Sequence, residues 1–439
     1  LYATVHYTKL CLVTQVAIQT KMQNHDYPKN VLSAVDTILL ICGLGRLSNK
    51  IPWVIRLAYS IYNYMVMSIA FIFLIFELIA FQMALDELPT FLSQIAMVLT
   101  HCAGIVKIWM LVKLRNPMEN IRNKLQDVRF KYVPLGNFQP GLKMRKAKVL
   151  MSRVTVLIFT MYSFVGITAQ LSATVDVIKN TQNGKFVKGI TCHDIIPFNF
   201  YIPFDISTPT MCHYALMYMN ISLDAQAWYI ATFDLIFVCF LHLLSTQLDI
   251  LSEAFTSIRE RCLKKLKMDP EKQSFYDDQC SELEEEMYRE VTHCNQHLNL
   301  LIEVRNDIED VFSLITLIQT SASLLICASC LFVAAKVQGS SPTFFSQLEY
   351  TAAILSQISL YCFFGDKITI SSAEIPMALY KSDWLSSSQR FKKSMLMAMT
   401  RMRKPLYVSI GKFTPLALNT LLAVLRGSFS YFTLFQRAG

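Results

Sequence analysis

The chain has 439 residues, 53% hydrophobic and 17% charged, with a formal charge of +9 and a mean hydropathy of +0.36. Soluble domains carry about a quarter charged residues, and disorder needs low hydrophobicity with high charge, so both classes are excluded. With 13 Gly and 14 Pro, collagen-like and low-complexity chains fail too, which leaves an all-α polytopic membrane protein.

The first twenty residues are mildly apolar but are broken by His6 and Lys9. They lack a basic start, a clean apolar centre and a small-residue cleavage site, so no signal peptide is expected. A helix needs about 20 mainly apolar residues to cross the hydrocarbon core. Seven segments qualify: 53–81, 88–114, 149–175, 214–244, 309–336, 345–365 and 408–435. His101 and Lys107 interrupt the second. The fourth is predicted to continue as a helix past the membrane, because apolar spacing persists through Leu248, Leu251 and Phe255 while Asp249 and Glu253 appear. A polar amphipathic stretch, 283–308, precedes the fifth, so a membrane domain on a helical base is expected.

Orientation follows from the connections. Segments 1–52, 115–148, 259–300 and 366–404 hold 5, 9, 7 and 8 Lys and Arg residues, whereas 82–90, 176–213 and 337–347 hold 0, 3 and 0. Basic residues collect on the cytoplasmic side, so the N-terminus is predicted inside and the C-terminus outside. The expected division is 1–52 as a cytoplasmic segment, 53–258 as spans one to four, and 259–308 as a cytoplasmic connection. Spans five and six with an anchor half-helix follow at 309–404, and the last span occupies 405–439.

The external connection 176–213 combines Pro197, Pro203 and Pro209 with Phe198, Phe200, Tyr201 and Phe204, which reads as an ordered lid. Cys192 and Cys212 fall on this oxidising side, where either a disulfide or two free thiols is consistent with the sequence. Most of the 12 cysteines lie instead in apolar runs and read as small buried hydrophobes. Asn220-Ile-Ser222 matches a glycosylation acceptor but falls in the fourth span, so it reads as a chance match.

The connection 259–300 has a basic half (Arg259, Arg261, Lys264, Lys265, Lys267) and an acidic half (Glu282, Glu284, Glu285, Glu286, Glu290). Salt-bridged solvated helices are the expectation, with contact to anionic lipid head groups as the alternative. His293 and His297 lie four apart near Glu290; without a third convincing ligand they read as surface residues rather than a metal site. Within the spans the ionisable residues are Glu77, Lys107, Asp224, Asp234, Glu349 and Arg426, which are expected to face protein or water. Arg426 reads either as half of an interhelical pair or as a permeation residue. Motifs for nucleotide, zinc-protease, serine-hydrolase and dinucleotide chemistry are absent, so neither an enzyme nor a cofactor is expected.

The C-terminal third is recognisable. Tyr380-Lys-Ser-Asp-Trp384, Arg390, Lys392-Lys393, Met399-Thr-Arg401, Lys404-Pro405, Gly411 and Ser428-Phe-Ser430-Tyr431-Phe432-Thr433-Leu434 resemble the closing signature of insect odorant receptors. Tyr201-Ile-Pro203-Phe-Asp205-Ile-Ser207-Thr-Pro209 resembles the lid before that family's fourth span. Pro415 is placed in the first turn of the last span, with 390–404 as a cytoplasmic half-helix that in the family anchors subunits together. The short connection between spans four and five is similar to an odorant-tuning subunit rather than the obligate coreceptor.

The resemblance implies a ligand-gated, non-selective cation channel in the cell membrane, a tetramer of tuning and coreceptor subunits with no nucleic-acid partner. Its last span lines the pore, with Leu434 at a hydrophobic gate and Thr433, Tyr431, Ser430 and Arg426 along the same helix. It implies a pocket for a small volatile odorant in the outer half of the membrane. From the predicted orientation the wall is Phe91, Ile95, Tyr162, Val165, Ala169, Met217, Tyr218, Ile221, Tyr350 and Ile354. The competing classes are a gustatory-type channel, a G-protein-coupled receptor and a transporter.

Overall fold

The computed structural model describes residues 27–438 apart from 29, 46, 49, 84, 86–87, 183–184, 188–189, 197–198, 269–279 and 338–341. Most of the expected segment 1–52, and Pro197 and Phe198 of the expected lid, therefore lie outside the described residues.

The long elements in chain order begin with α1 (Ser33–Ile41), α2 (Trp53–Met83), α3 (Leu88–Lys113) and α4 (Arg115–Leu125). Next come α5 (Pro140–Lys179), a small hairpin of β1 (Thr181–Gln182) and β2 (Lys185–Phe186), and the single turn α6 (Cys192–Ile195). α7 (Pro209–Thr256), α8 (Ile258–Leu266) and α9 (Ser281–Lys336) follow. The chain closes with α10 (Pro342–Ala373), α11 (Ile375–Lys381), α12 (Gln389–Arg401), a hairpin of β3 (Ser409–Ile410) and β4 (Thr414–Pro415), and α13 (Leu418–Ala438).

Among the described residues, five helices are long and apolar enough to cross a membrane: α2, α3, α5, α7 and α9. α10 and α13 have comparable length but carry more polar residues, Glu349, Gln357, Asp366 and Lys367 on one, Asn419, Arg426 and Gln436 on the other. The expected seven segments all contain helix, and several helices extend well beyond them. α7 runs to Thr256, as its continuing apolar spacing predicts, and α9 starts at Ser281 rather than near 309. With 56 residues, α9 is about 84 Å long at 1.5 Å per residue. That exceeds a hydrocarbon core of about 30 Å, so its polar N-terminal half must stand outside.

α7 is the axis of the fold. Pro209 opens it at a position where its missing N–H costs nothing, and the Thr208 side chain caps it by accepting from the Met211 N–H at 3.3 Å. In its most apolar stretch 89% of the residues are buried, against 22% for α2 and 11% for α5. A helix apolar on every face belongs in the centre of a bundle, whereas the uncovered apolar faces of α2 and α5 suit lipid.

At the end away from the lid, the C-terminal part of α7 and the N-terminal part of α9 pack with α1, α4, α8, α11 and α12 into one continuous core that includes Phe255, Ile258, Leu301 and Phe391. The basic and acidic halves of 259–300 join there, Arg261 to Glu290 at 2.8 Å and Lys265 to Glu286 at 2.6 Å. Arg122–Asp36 and Lys124–Asp307 add further pairs. The half-helix expected at 390–404 is α12, held to α9 by the Asn295 amide donating to Ser394 Oγ at 2.9 Å and by Arg390 over the Tyr288 ring. His297 corrects an expectation. It is 2% exposed, stacked on Phe130 and bonded to the Tyr132 hydroxyl at 3.0 Å, while Glu290 is occupied by Arg261. The described residues contain no group of three side chains suited to a metal.

A second correction concerns the last span, expected over 408–435 with Pro415 in its first turn. Pro415 belongs to β4, and the helix starts at Leu418. The hairpin pairs Ser409 with Pro415 and Ile410 with Thr414, and it is tied to α9 by the Gly411 N–H donating to the Ser313 carbonyl at 3.0 Å. Gly411 has φ +59°, and a Cβ there would meet Leu317 Cδ2 at 2.7 Å, so turn and close approach both require glycine. The proline reads as a helix start in sequence, but the hairpin closes first and uses it at a strand position.

Candidate functional site

At the lid end of the bundle the helices separate around a cavity of about 810 Å³, within the range of small-molecule sites. α3 contributes Gln94, Met97, Thr100 and His101, and α2 contributes Glu77. α5 contributes Tyr162, Val165, Thr168 and Ala169, while α7 contributes Leu223, Asp224, Ala227 and Ile230. α10 adds Glu349, Tyr350, Ala353, Ile354 and Gln357, α9 adds Gln319 and Val333, and Ile195 and Ile196 close it from the lid.

The lid is anchored. Cys192 and Cys212 are joined by a disulfide, with Cα atoms 5.7 Å apart, which ties α6 to the first turn of α7. The Tyr201 N–H donates to the Phe76 carbonyl at 3.0 Å, and Phe200 packs on Phe73. These contacts set the lid on the C-terminal half of α2 and the first turn of α7.

Polar groups on the wall are mostly paired with one another. His101 Nδ1 and Glu77 Oε2 lie 2.6 Å apart, and both residues are buried. Thr168 Oγ1 donates to Glu349 Oε2 at 3.2 Å, and the Tyr350 hydroxyl pairs with Thr100 and reaches the Ala96 carbonyl at 3.3 Å. The floor is a chain of buried groups. Gln319 Nε2 donates to Gln357 Oε1 at 3.0 Å, and Gln357 and Tyr361 both donate to Asp234. Lys107 donates to the same carboxylate at 2.7 Å from α3. In a medium without water such groups must satisfy each other, and this cluster joins α3, α7, α9 and α10 beneath the cavity.

Five of the ten residues predicted for the wall line this cavity: Tyr162, Val165, Ala169, Tyr350 and Ile354. The other five do not. Met217 and Ile221 are more than half exposed on the outer surface of α7, and Tyr218 sits in an aromatic cluster with Phe73, Phe76 and Phe200. Phe91 packs against Phe81, and Ile95 is half-buried outside the lining. Period alone gives no absolute rotation: Leu223 follows Ile221 by two residues, which is about 200° around a helix of 3.6 residues per turn. Sequence reasoning also passed over Thr168, Gln319 and Gln357, whose only signal is polarity inside apolar runs.

α13 presents the residues predicted for a gate on an uncovered face. Leu434 is 56% exposed, Tyr431 is exposed, and Arg426 is exposed without an ion pair among the described residues. Ser430 and Thr433 turn their hydroxyls back onto the helix, donating to the carbonyls of Arg426 and Ser430 at 3.0 and 2.8 Å. The opposite face, with Val424 and Ser428, is buried against the bundle.

The family model for the 7tm odorant receptor matches residues 87–429. The chain belongs to the odorant receptor family. Odorant receptor 22c of Drosophila melanogaster is 31% identical over 158 residues, 35% of this chain and 38% of that protein. Odorant receptor 2a of the same fly is 26% identical over 156 residues, 35% of this chain and 39% of that protein. These matches thus span well under two thirds of either relative. The solved structure of the olfactory receptor OR5 from Machilis hrabei in complex with eugenol superposes with a TM-score of 0.76, covering 93% of this chain and 98% of that one. At 14% identity that likeness shows the fold. This member of the odorant receptor family is therefore a bundle of long apolar helices, with a roofed cavity at one end and a packed base at the other.

Proposed function

We propose that this odorant receptor is the odorant-tuning subunit of a ligand-gated, non-selective cation channel, assembled as a tetramer with coreceptor subunits in the cell membrane. The N-terminus is cytoplasmic and the C-terminus external, which is supported by the Lys and Arg asymmetry of the connections. A volatile molecule occupies the cavity of about 810 Å³, with Tyr162, Val165, Ala169, Tyr350 and Ile354 among its contacts. The cavity is the observation that carries this reading: it is large enough for a small organic molecule and is roofed by an anchored lid.

α13 lines the pore and Leu434 forms the hydrophobic gate, which blocks ions by dewetting until the helices separate. Support comes from the apolar side chains of Leu422, Leu425 and Phe429 on one face and of Leu434 beyond it, which the single chain leaves exposed and which suit contact between copies around an axis. Binding opens the channel only where the odorant favours the open state over the closed one.

Two measurements test it in cells expressing the chain with a coreceptor. Tyr350→Ala is expected to shift the odorant dose–response about tenfold, through loss of the hydroxyl that ties α10 to α3 and of its ring area. Unaltered curves for every active odorant would remove Tyr350 from the site. Leu434→Ala is expected to raise resting leak current; unchanged leak and unchanged ion block would remove α13 from the gate.

A further inference from the structure

The uncovered side of α13 carries a polar line along its middle. Val424 and Ser428 are buried against the bundle. Arg426 stands two residues from each, about 200° around a helix of 3.6 residues per turn. Its side chain therefore leaves the helix nearly opposite the packed face, and it is exposed. Asn419, Ser430, Thr433 and Arg437 leave within about 40° of it; Thr433 is half-buried and the other three are exposed. Leu422 and Phe429 stand about 40° and 60° to one side, and Leu434 about 80° to the other.

A helix that gave this side to lipid would place apolar residues at its centre, as α5 does with the exposed Val156, Leu157, Phe164 and Leu171. In α13 the most uncovered line is instead the polar one. Charges in spanning helices face protein or water. α13 has no Asp or Glu of its own, and Arg426 has no ion pair elsewhere among the described residues. A polar line between apolar shoulders suits a helix whose shoulders touch neighbouring subunits while the line meets water.

We propose that Arg426 is a charge filter in the pore, favouring monovalent over divalent cations. The proposal rests on the reading of α13 as the pore helix and adds which cations that helix passes. Arg426 precedes Leu434 by eight residues, about 12 Å along the axis, so filter and gate act at separate levels. The remaining members of the line between them, Ser430 and Thr433, are neutral, so the guanidinium sets the field there. A unit positive charge about 6 Å from an ion in water disfavours a monovalent cation about threefold and a divalent one about tenfold, because the work doubles with the ion's charge. Calcium permeability relative to sodium is therefore about threefold lower than it would be without Arg426.

The test uses the full chain with a coreceptor in voltage-clamped oocytes, opened by the active members of a panel of volatile alcohols, esters, aldehydes and phenols. Reversal potentials in sodium and calcium solutions give the permeability ratio. Arg426→Gln is expected to raise calcium over sodium about threefold, and Arg426→Lys to retain the original ratio. Ser430→Cys supplies a second reading, and carries the test alone if Arg426→Gln does not reach the surface. A cationic methanethiosulfonate added there should lower the ratio and an anionic one raise it, against the unsubstituted chain treated alike. A ratio unmoved by Arg426→Gln, or by either charge placed on Ser430→Cys, overturns the filter while thiol-sensitive currents keep α13 as the pore helix. Currents insensitive to both reagents in Asn419→Cys, Ser430→Cys and Leu434→Cys alike overturn the pore reading and the filter with it.

Discussion

The two ends of this receptor are built on opposite principles. In the base, α7 is buried on nearly every face and α9 along one face, a single apolar core runs from Phe255 to Phe391, and ion pairs close its rim. At the lid end the same two helices separate around about 810 Å³ of space, and the buried polar groups there bond in short chains. The base resists change because close-packed interiors transmit strain and do not deform gradually. The lid end holds fewer apolar contacts and is the part able to respond to a ligand.

Substitutions can break that division. The largest effect is expected at its boundary, where Lys107 is wholly buried against Asp234. Asp234→Ala leaves that ammonium unpaired and is expected to cost about 3–5 kcal/mol, seen as loss of surface protein. Removing both charges as Lys107→Met with Asp234→Leu should recover much of it, and failure to recover would mean that the Gln357 and Tyr361 bonds carry the cluster.

Phe312, buried and stacked on Phe237 at 4.6 Å, tests the packed end. Phe312→Ala should cost about 3–5 kcal/mol in thermal unfolding of the purified complex, whereas Met217→Ala, on the exposed face of α7, should stay within about 0.5 kcal/mol. Equal losses would erase the contrast between covered and uncovered faces.

A smaller effect is expected from His297 in the base. Burial, with the His293 charge beside it, holds its imidazole down at about 3, while the unfolded side chain takes a proton near pH 6.5. The unfolded state therefore binds the extra proton between those limits, and stability falls as pH drops below about 6.5 by up to about 1.4 kcal/mol per unit. Melting curves at pH 7.5 and 5.5 should show the loss, and His297→Phe should flatten it. An unchanged slope in that variant would place the acid sensitivity elsewhere.

Much of the fold was legible before any coordinates, because a bilayer leaves few choices. Seven apolar segments and the run-on of α7 through Phe255 follow from spacing and polarity alone, and the half-helix near 390 follows from the family resemblance. The start of the last helix did not, since Pro415 suits a helix opening and a strand equally and the contact of Gly411 with α9 decides between them. His297 reads as a surface residue until Phe130 and Tyr132 arrive from a distant segment to cover it.

The site divides in the same way. Glu77, Asp224, Glu349 and the Lys107–Asp234 pair stand out in the sequence as charges in apolar helices, because such charges are too costly to leave facing lipid. Which apolar residues join them was not legible: Tyr350 and Ile354 face the cavity, whereas Met217 and Ile221 face outward from an equally apolar helix. Hydropathy measures how much a helix dislikes water, and lipid, packed core and the wall of a cavity satisfy that preference alike. The sequence alone therefore determined the class of protein, its long helices and the odd charges within them. The rotation of each helix and the pairing of those charges were decided only when the helices packed against each other.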